Sequence, residues 1–448
     1  MFIFLKFSIE SLKGQYNDKT GGCRMLKHVT LDGVRLHLKP DEKKLWINSK
    51  YVLFLNETTC FILAAMIDSC YEVPKEQVPE RTVQKIVRHY RISKEKARHD
   101  FETIVGIING FAREQPPVHL IGMTVVDPLS LKAPSRMDLS LTYECNNQCQ
   151  HCYLSENINR KGSLDTRQWK QVIDLLWEIG VPQVVFTGGE CLLRDDVVEL
   201  VEYSKQFTTG IITNGTLLTG ELAQSLRGVH LDWIQITLES VNATIHDEIQ
   251  GRKGAWEQTV KGIQNAVAAG LSVSVNATLS QKNAKELKDL IAFAQKLGVR
   301  YVSTNAIINA GRGITEKKEF GLKEEELKNI LEEAKEYAES HEVMFNWFLP
   351  TCYKNVNPVD MGFGVRCCSA CSVNMMIEPN GDVIPCQSWT QQKLGNILSD
   401  SWEQIWDHPI AQDIRRHAFV EEECTTCEYL EMCLGGCPLN HLNKKEVL

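Results

Sequence analysis

No apolar run in this chain reaches the length of about 20 residues that a membrane-crossing helix requires, which excludes a helical membrane protein. The apolar opening MFIFLKF is too short for a secretory signal core, and no small-residue cleavage site follows it, so a cytoplasmic location is expected. Positive charge is not in excess either. With 49 Lys and Arg against 57 Asp and Glu, the formal charge is -8, which gives no overall attraction to nucleic acid or to an anionic membrane. What the chain does have is cysteine, 16 in 448 residues. Disulfides are rare in a reducing cytosol, so metal binding explains that number better than a covalent framework. The 43% hydrophobic content suffices for a large core shared among several domains.

The cysteines are unevenly spread. Cys23, Cys60 and Cys70 are scattered and Cys191 stands alone, as expected of small packing residues, whereas nine lie between Cys352 and Cys437. A third group sits mid-chain. The stretch ECNNQCQHCY, residues 144–153, sets Cys145, Cys149 and Cys152 in C-x3-C-x2-C spacing directly after a strand-like run. A four-iron, four-sulfur cluster takes one cysteine per iron, so three cysteines leave one iron open to another ligand. A zinc site short of one ligand is the competing reading.

Upstream, residues 28–55 alternate apolar and polar side chains around Gly33 and Pro40, which predicts short strands. Helical patterns follow at 57–69, 79–90 and 93–108, the last with Ser93 as its cap. Together they predict a winged-helix-like α+β module over residues 1–112, and the proline-bearing stretch 113–134 reads as a linker. Between Arg81 and Arg98 seven basic residues (Arg81, Lys85, Arg88, Arg91, Lys94, Lys96, Arg98) face one acid, Glu95. That run fits a solvated helix face, a DNA-recognition helix or a groove for an acidic peptide.

From residue 135 to 340, strand and helix patterns alternate. Apolar runs at 138–143, 183–187, 210–213, 233–238, 272–279 and 301–308 predict six parallel strands joined by amphipathic helices, a partial (β/α)6 barrel. Chemistry in such sheets collects at the carboxyl ends of the strands. There the chain places the cysteine loop, then TGGE (187–190), TNGT (213–216), TLES (237–240), Asn276 and NAGRG (309–313).

CNNQCQHC followed by FTGGECLLRDD and ITNGT is similar to the radical S-adenosylmethionine (SAM) enzymes, and the likeness covers the whole central segment. The resemblance implies that Cys145, Cys149 and Cys152 hold a [4Fe-4S] cluster whose open iron chelates SAM, and that Gly188, Gly189 and Glu190 hold the methionine amino group. Thr237, Glu239, Asn276 and Arg312 are the further expected SAM contacts. Cys191 stands where the family usually has proline, as a turn variant. The amino-terminal module resembles the peptide-recognition elements of enzymes that modify ribosomally made peptides, and the resemblance implies a bound leader peptide.

The segment 341–448 carries Cys352, Cys367, Cys368, Cys371, Cys386 and a C-x2-C-x5-C-x3-C run at Cys424, Cys427, Cys433 and Cys437. Structural zinc suits paired C-x2-C spacings, but Cys371-x9-Gly381-x4-Cys386 followed by that run resembles the SPASM domain, which holds two auxiliary [4Fe-4S] clusters. The resemblance assigns Cys371, Cys386 and Cys437 to one cluster and Cys424, Cys427 and Cys433 to the other. Two places are left for Cys352, Cys367 and Cys368, with His441 as a fallback. Either both clusters fill and one cysteine is spare, or one auxiliary iron is open.

The whole resembles a radical SAM/SPASM peptide maturase. It implies an enzyme with three [4Fe-4S] clusters and SAM, and a 5'-deoxyadenosyl radical that installs a thioether in a ribosomally synthesised precursor peptide. An electron donor such as flavodoxin or ferredoxin is the other expected partner. The alternatives are a carbon–carbon or carbon–oxygen crosslinking enzyme of the same architecture, an anaerobic sulfatase-maturing type, or a metal-dependent DNA-binding regulator.

Overall fold

A computed structural model of the chain describes residues 27–31, 34–40, 43–47, 51–55, 57–112, 131–154, 160 and 162–442. Cys23 and nearly all of the expected linker lie outside these residues. The chain divides into two compact units, one of residues 1–131, 174–182 and 206–208, the other of the remainder.

In the first unit four strands, β1 (Lys27–Leu31), β2 (Val34–Lys39), β3 (Lys44–Ile47) and β4 (Tyr51–Phe54), form an antiparallel meander. Helices α1 (Glu57–Glu72), α2 (Val78–Tyr90) and α3 (Lys94–Ala112) follow. Leu36, Leu38, Leu45 and Ile47 from the sheet pack with Ile62, Leu63, Ile67, Val83, Ile86 and Phe101 from the helices in one apolar core. α2 stops at Arg91, which takes a left-handed conformation (φ 54°). The Ser93 hydroxyl then accepts the Lys96 amide at 3.2 Å and caps α3, as the sequence predicts.

Five of the seven basic residues on α2 and α3 are ion-paired. Glu72 pairs with Arg81 and Lys85, Glu80 with Lys94 and Arg98, and Asp100 with Lys96. These acids fall just outside the window in which the sequence shows one acid, because residues distant along the chain meet across neighbouring helices. The run is an ion-paired surface rather than a bare cationic face.

The second unit is built on a ten-stranded sheet. Its central strands are β5 (Arg136–Ser140), β6 (Gln183–Thr187), β7 (Thr208–Thr213), β8 (Trp233–Thr237), β9 (Val273–Leu279) and β10 (Tyr301–Ala306), each of the six expected runs giving one. β5 lies parallel to β6, and β7 to β10 are successively parallel. Strands covered on both faces read as unbroken apolar runs, and Val184, Val185 and Phe186 of β6 are fully buried. The sheet exceeds the expected six strands at both edges. β11 (Met344–Trp347) adds parallel to β10, and β12 (Asn374–Ile377) adds parallel to β5. β12 turns back as a hairpin into β13 (Asp382–Ile384), which pairs with β14 (Gly395–Asn396). The cysteine-rich segment therefore extends the same sheet that carries the three-cysteine loop. Among the described residues no helix is long and apolar enough to cross a membrane.

Candidate functional site

The loop after β5 carries Cys145, Cys149 and Cys152, and its backbone is fixed from three sides. The Gln148 and Gln150 amides donate to the carbonyls of Gln250 (3.0 Å) and Ile249 (2.8 Å), at the end of the helix Ala243–Gln250. The Gly189 and Glu190 amides donate to the Thr142 and Glu144 carbonyls, both at 2.8 Å, and the Arg312 amide donates to the Cys152 carbonyl at 3.1 Å. A Cβ on Gly189 would stand 2.3 Å from the Glu144 oxygen, and one on Gly188 (φ 149°) 2.7 Å from the Thr142 oxygen. The two glycines are thus required for the TGGE turn to lie against the cysteine loop.

Side chains complete the net. Asn146 donates to Thr216 and accepts from Asn214, both at 2.8 Å, tying the loop to TNGT. The buried Glu190 carboxylate accepts from the Leu192 and Asn214 amides and from the Thr213 hydroxyl, so it joins the second strand end to the third. Gln250 Oε1 accepts from Asn147 Nδ2 at 2.8 Å and from the Cys149 thiol at 3.1 Å, while its Nε2 reaches Glu239 at 3.3 Å. Glu239 also accepts the Thr278 amide at 2.8 Å and lies 3.3 Å from His151 Nε2.

Burial raises Glu239 to about 8 and lowers His151 to about 4, the latter with help from the Arg312 charge. Near neutral pH the two therefore meet as a neutral hydrogen-bonded pair, although their separation alone would also suit an ion pair. Asn276, on β9 opposite Thr237 of β8, accepts the Ser303 hydroxyl at 2.9 Å.

Burial also opposes ionisation of the three thiols, raising Cys145 to about 11 and Cys149 well above its usual value. Cys149 and Cys145 feel each other and Cys152, and the Arg312 side chain reaches the Cys152 thiol. Three half-buried thiols within reach of one another, with a cation beside them, fit a cluster, since a coordinated metal deprotonates a thiol outright. Among the described residues no group of three or more His, Cys, Asp or Glu side chains closes on a single metal ion. A polynuclear cluster, which takes one thiolate per iron, does not require that. Cys191 opens a short turn, Cys191–Leu193, and its fully buried thiol faces the Ile212 carbonyl at 3.6 Å.

The described cysteines are all free, and those after residue 350 sort into two groups. Cys368 lies within electrostatic reach of Cys437 and Cys386, Cys386 of Cys371, and Cys371 of Cys368. Cys424 is within reach of Cys433, Cys352 and Cys427, and Cys367 of Cys433. Cys433 and Cys437 are close in sequence yet serve different groups. Three successive residues in the left-handed region, Leu434, Gly435 and Gly436, turn the chain between them. The side chain of His441 is outside the described residues.

The family profile described as "Radical SAM superfamily" matches residues 139–294, and that described as "Iron-sulfur cluster-binding domain" (SPASM) matches 367–428. The subtilosin biosynthesis protein AlbA of Bacillus subtilis is 30% identical over 325 residues, covering 70% of this chain and 69% of AlbA. The chain belongs to the radical SAM superfamily. The mycofactocin maturase MftC of Mycolicibacterium smegmatis is 28% identical to this radical SAM enzyme, over 68% of its chain and 79% of MftC. Streptococcus suis SuiB, solved with its precursor peptide SuiA, shares the fold with a TM-score of 0.65 at 16% identity, over 94% of this chain and 96% of that one. The SAM-bound structure of anSMEcpe gives 0.56 at 17% identity, over 68% and 86%.

The radical SAM fold brings Cys145, Cys149, Cys152, Gly188, Gly189, Glu190 and Arg312 around one loop, and sets Thr237, Glu239 and Asn276 on the neighbouring strand ends. Sequence reasoning missed Gln250, His151 and Asn146. Gln250 closes a helix in an unremarked IQG stretch, and nothing local announces that its side chain turns toward a cysteine 101 positions away.

Proposed function

We propose that this radical SAM enzyme forms an intramolecular thioether, joining a cysteine sulfur to a carbon of a ribosomally made precursor peptide. The observation that carries the reading is the order of parts, a strand-and-helix module, a radical SAM sheet and two cysteine groups. SuiB, with its peptide SuiA, shares that fold over 94% of this chain. The name of the relative AlbA ties it to a bacteriocin. In this reading residues 1–112 hold the leader, 113–134 link, 135–340 form the barrel, and 341–448 carry two auxiliary clusters.

Cys145, Cys149 and Cys152 hold the SAM-binding cluster, which with SAM supplies a 5'-deoxyadenosyl radical able to take hydrogen from an unactivated carbon. Gly188, Gly189 and Glu190 present backbone to the methionine end, and Arg312 and Thr237 border the nucleoside side. Glu239 and Asn276 stand behind them, Glu239 orienting His151 of the cysteine loop. Forming the carbon–sulfur bond removes a hydrogen atom from the acceptor carbon and a proton from the thiol. One electron is left over, and auxiliary clusters held by the carboxyl-terminal cysteine groups would receive it. A flavodoxin or ferredoxin supplies the electron that starts each turnover.

The test uses reconstituted enzyme, SAM, a reductant and the peptide encoded beside the gene. The expected product has lost two hydrogens and no longer reacts with thiol reagents. The same loss of two hydrogens from a peptide with its cysteines changed to serine would instead establish carbon–carbon or carbon–oxygen crosslinking. SAM cleavage without any change in the peptide would sink the reading.

A further inference from the structure

Building on the two-auxiliary-cluster reading, in which Cys368, Cys371, Cys386 and Cys437 hold the first cluster, we propose that Arg415 is the counter-charge of that cluster and raises its reduction potential.

The helix Pro409–Arg415 turns Ala411, Ile414 and Arg415 inward, at the i, i+3, i+4 spacing of one helix face. An apolar residue would complete that face, and the chain puts a guanidinium there instead. Arg415 is 4% exposed and is the only buried arginine among the described residues, while its neighbour Arg416 is exposed. Burying a charge is strongly unfavourable unless an opposite charge compensates it. Arg136 and Arg194, both less buried, have Asp138 and Asp196 beside them. Among the described residues no carboxylate stands within ion-pair distance of Arg415. Asp407 lies exposed before the helix and attracts it only from farther off. Arg415 Nη2 donates to the Trp406 carbonyl at 2.6 Å and Nη1 to the Cys371 carbonyl at 3.2 Å, and the guanidinium lies over the Trp406 ring, 4.3 Å from its centre. These contacts occupy its hydrogens without supplying a negative charge.

The missing charge is found in the cysteine group. Cys371, which accepts from Arg415, is fully buried in a left-handed conformation (φ 55°). Its amide donates to the carbonyls of Asn374 at 3.1 Å and of Pro385, the residue before Cys386, at 3.3 Å. Ile414 lines one cavity with Cys368 and with Pro438, the residue after Cys437. The end of this helix thus borders the segments that carry Cys371, Cys368 and Cys437, with Cys386 one hydrogen bond further on. A [4Fe-4S] cluster on four thiolates is an anion, and an added electron makes it more negative, so a desolvated cation beside it favours the reduced form. That suits an acceptor of the electron that carbon–sulfur bond formation leaves over.

The test is a potentiometric titration of the reconstituted full-length holoprotein, followed by electron paramagnetic resonance and iron counting. The resonance missing from C371A, or from C386A if C371A does not fold, marks the first auxiliary cluster. R415Q keeps hydrogen-bond donors without the charge and is expected to hold wild-type iron. At the potential where the wild-type cluster is half reduced, its ratio of reduced to oxidised cluster should fall about tenfold, a shift of about 59 mV to more negative potential. R415K, which keeps the charge, should stay near the wild-type midpoint. An unmoved midpoint in R415Q, or equal shifts in R415Q and R415K, overturns the proposal. If R415Q loses the cluster, R415K decides: iron retained at the wild-type midpoint upholds the counter-charge, and any other result makes Arg415 a clamp of the backbone alone. If the cysteine variants keep every wild-type resonance, the group holds no cluster, and the failure is that of the underlying reading rather than of the role of Arg415.

Discussion

The two cysteine-bearing regions of the second unit are built in opposite ways. The loop after β5 takes its three cysteines from eight consecutive residues, 145–152, and spends its hydrogen bonds on fixing that short stretch from outside. Gly189, Asn214 and Arg312 come from beyond other strands, and Gln250 from the end of a helix. The carboxyl-terminal groups draw on residues from 352 to 437, and their order comes from tight turns such as the left-handed run Leu434, Gly435 and Gly436. A local ligand set needs a distant frame, whereas a dispersed ligand set needs local turns to aim it.

The sharpest way to break this comparison is to remove one thiol from each region. C149A is expected to abolish SAM cleavage and to lower iron by about four per chain. C433A is expected to lose a similar amount of iron, about four, but to keep SAM cleavage, uncoupled from product. Equal loss of SAM cleavage in both variants would show that the regions are not separable. A smaller effect tests the frame alone. G189A puts a Cβ 2.3 Å from the Glu144 oxygen, and such overpacking costs about 1–3 kcal/mol. It should lower the melting temperature and loosen iron at the barrel loop while leaving the auxiliary signals unchanged.

The smallest effect concerns Glu239. Its ordinary value of 4.5 is raised to about 8 by burial, so the fold holds a proton that the unfolded chain has released. The stability this lends is fully present below 4.5 and is lost as pH rises through about 8. E239Q keeps a hydrogen-bonding side chain with no charge to bury. Between pH 6.5 and 8.5, outside the window of His151, the apo variant should gain roughly a few degrees of melting temperature relative to wild type. A pH-independent difference would show that Glu239 is not protonated in the fold.

Much of the barrel was legible because parallel strands bury both faces, and runs such as QVVFT show it in their residue types. Gly188 and Gly189 were singled out in the sequence as SAM contacts, but it did not tell what part of the chain they approach. The contact is with the cysteine loop's own carbonyls, a property of two chain segments at once. The partners of the basic run on α2 and α3 were not legible for the same reason, since Glu72 and Glu80 reach it from the preceding helices. The edge strands β11 and β12 were missed because four-residue strands carry too little pattern to stand out.

The parallel pairing of β12 with β5 runs in register from Asn374 against Arg136 to Ile377 against Leu139. In the proposed reading, with a cluster beyond each of the two strands, this ladder fixes their spacing, and electron tunnelling falls off exponentially with distance. Lengthening the hairpin tip between Ile377 and Asp382 would leave that spacing untouched.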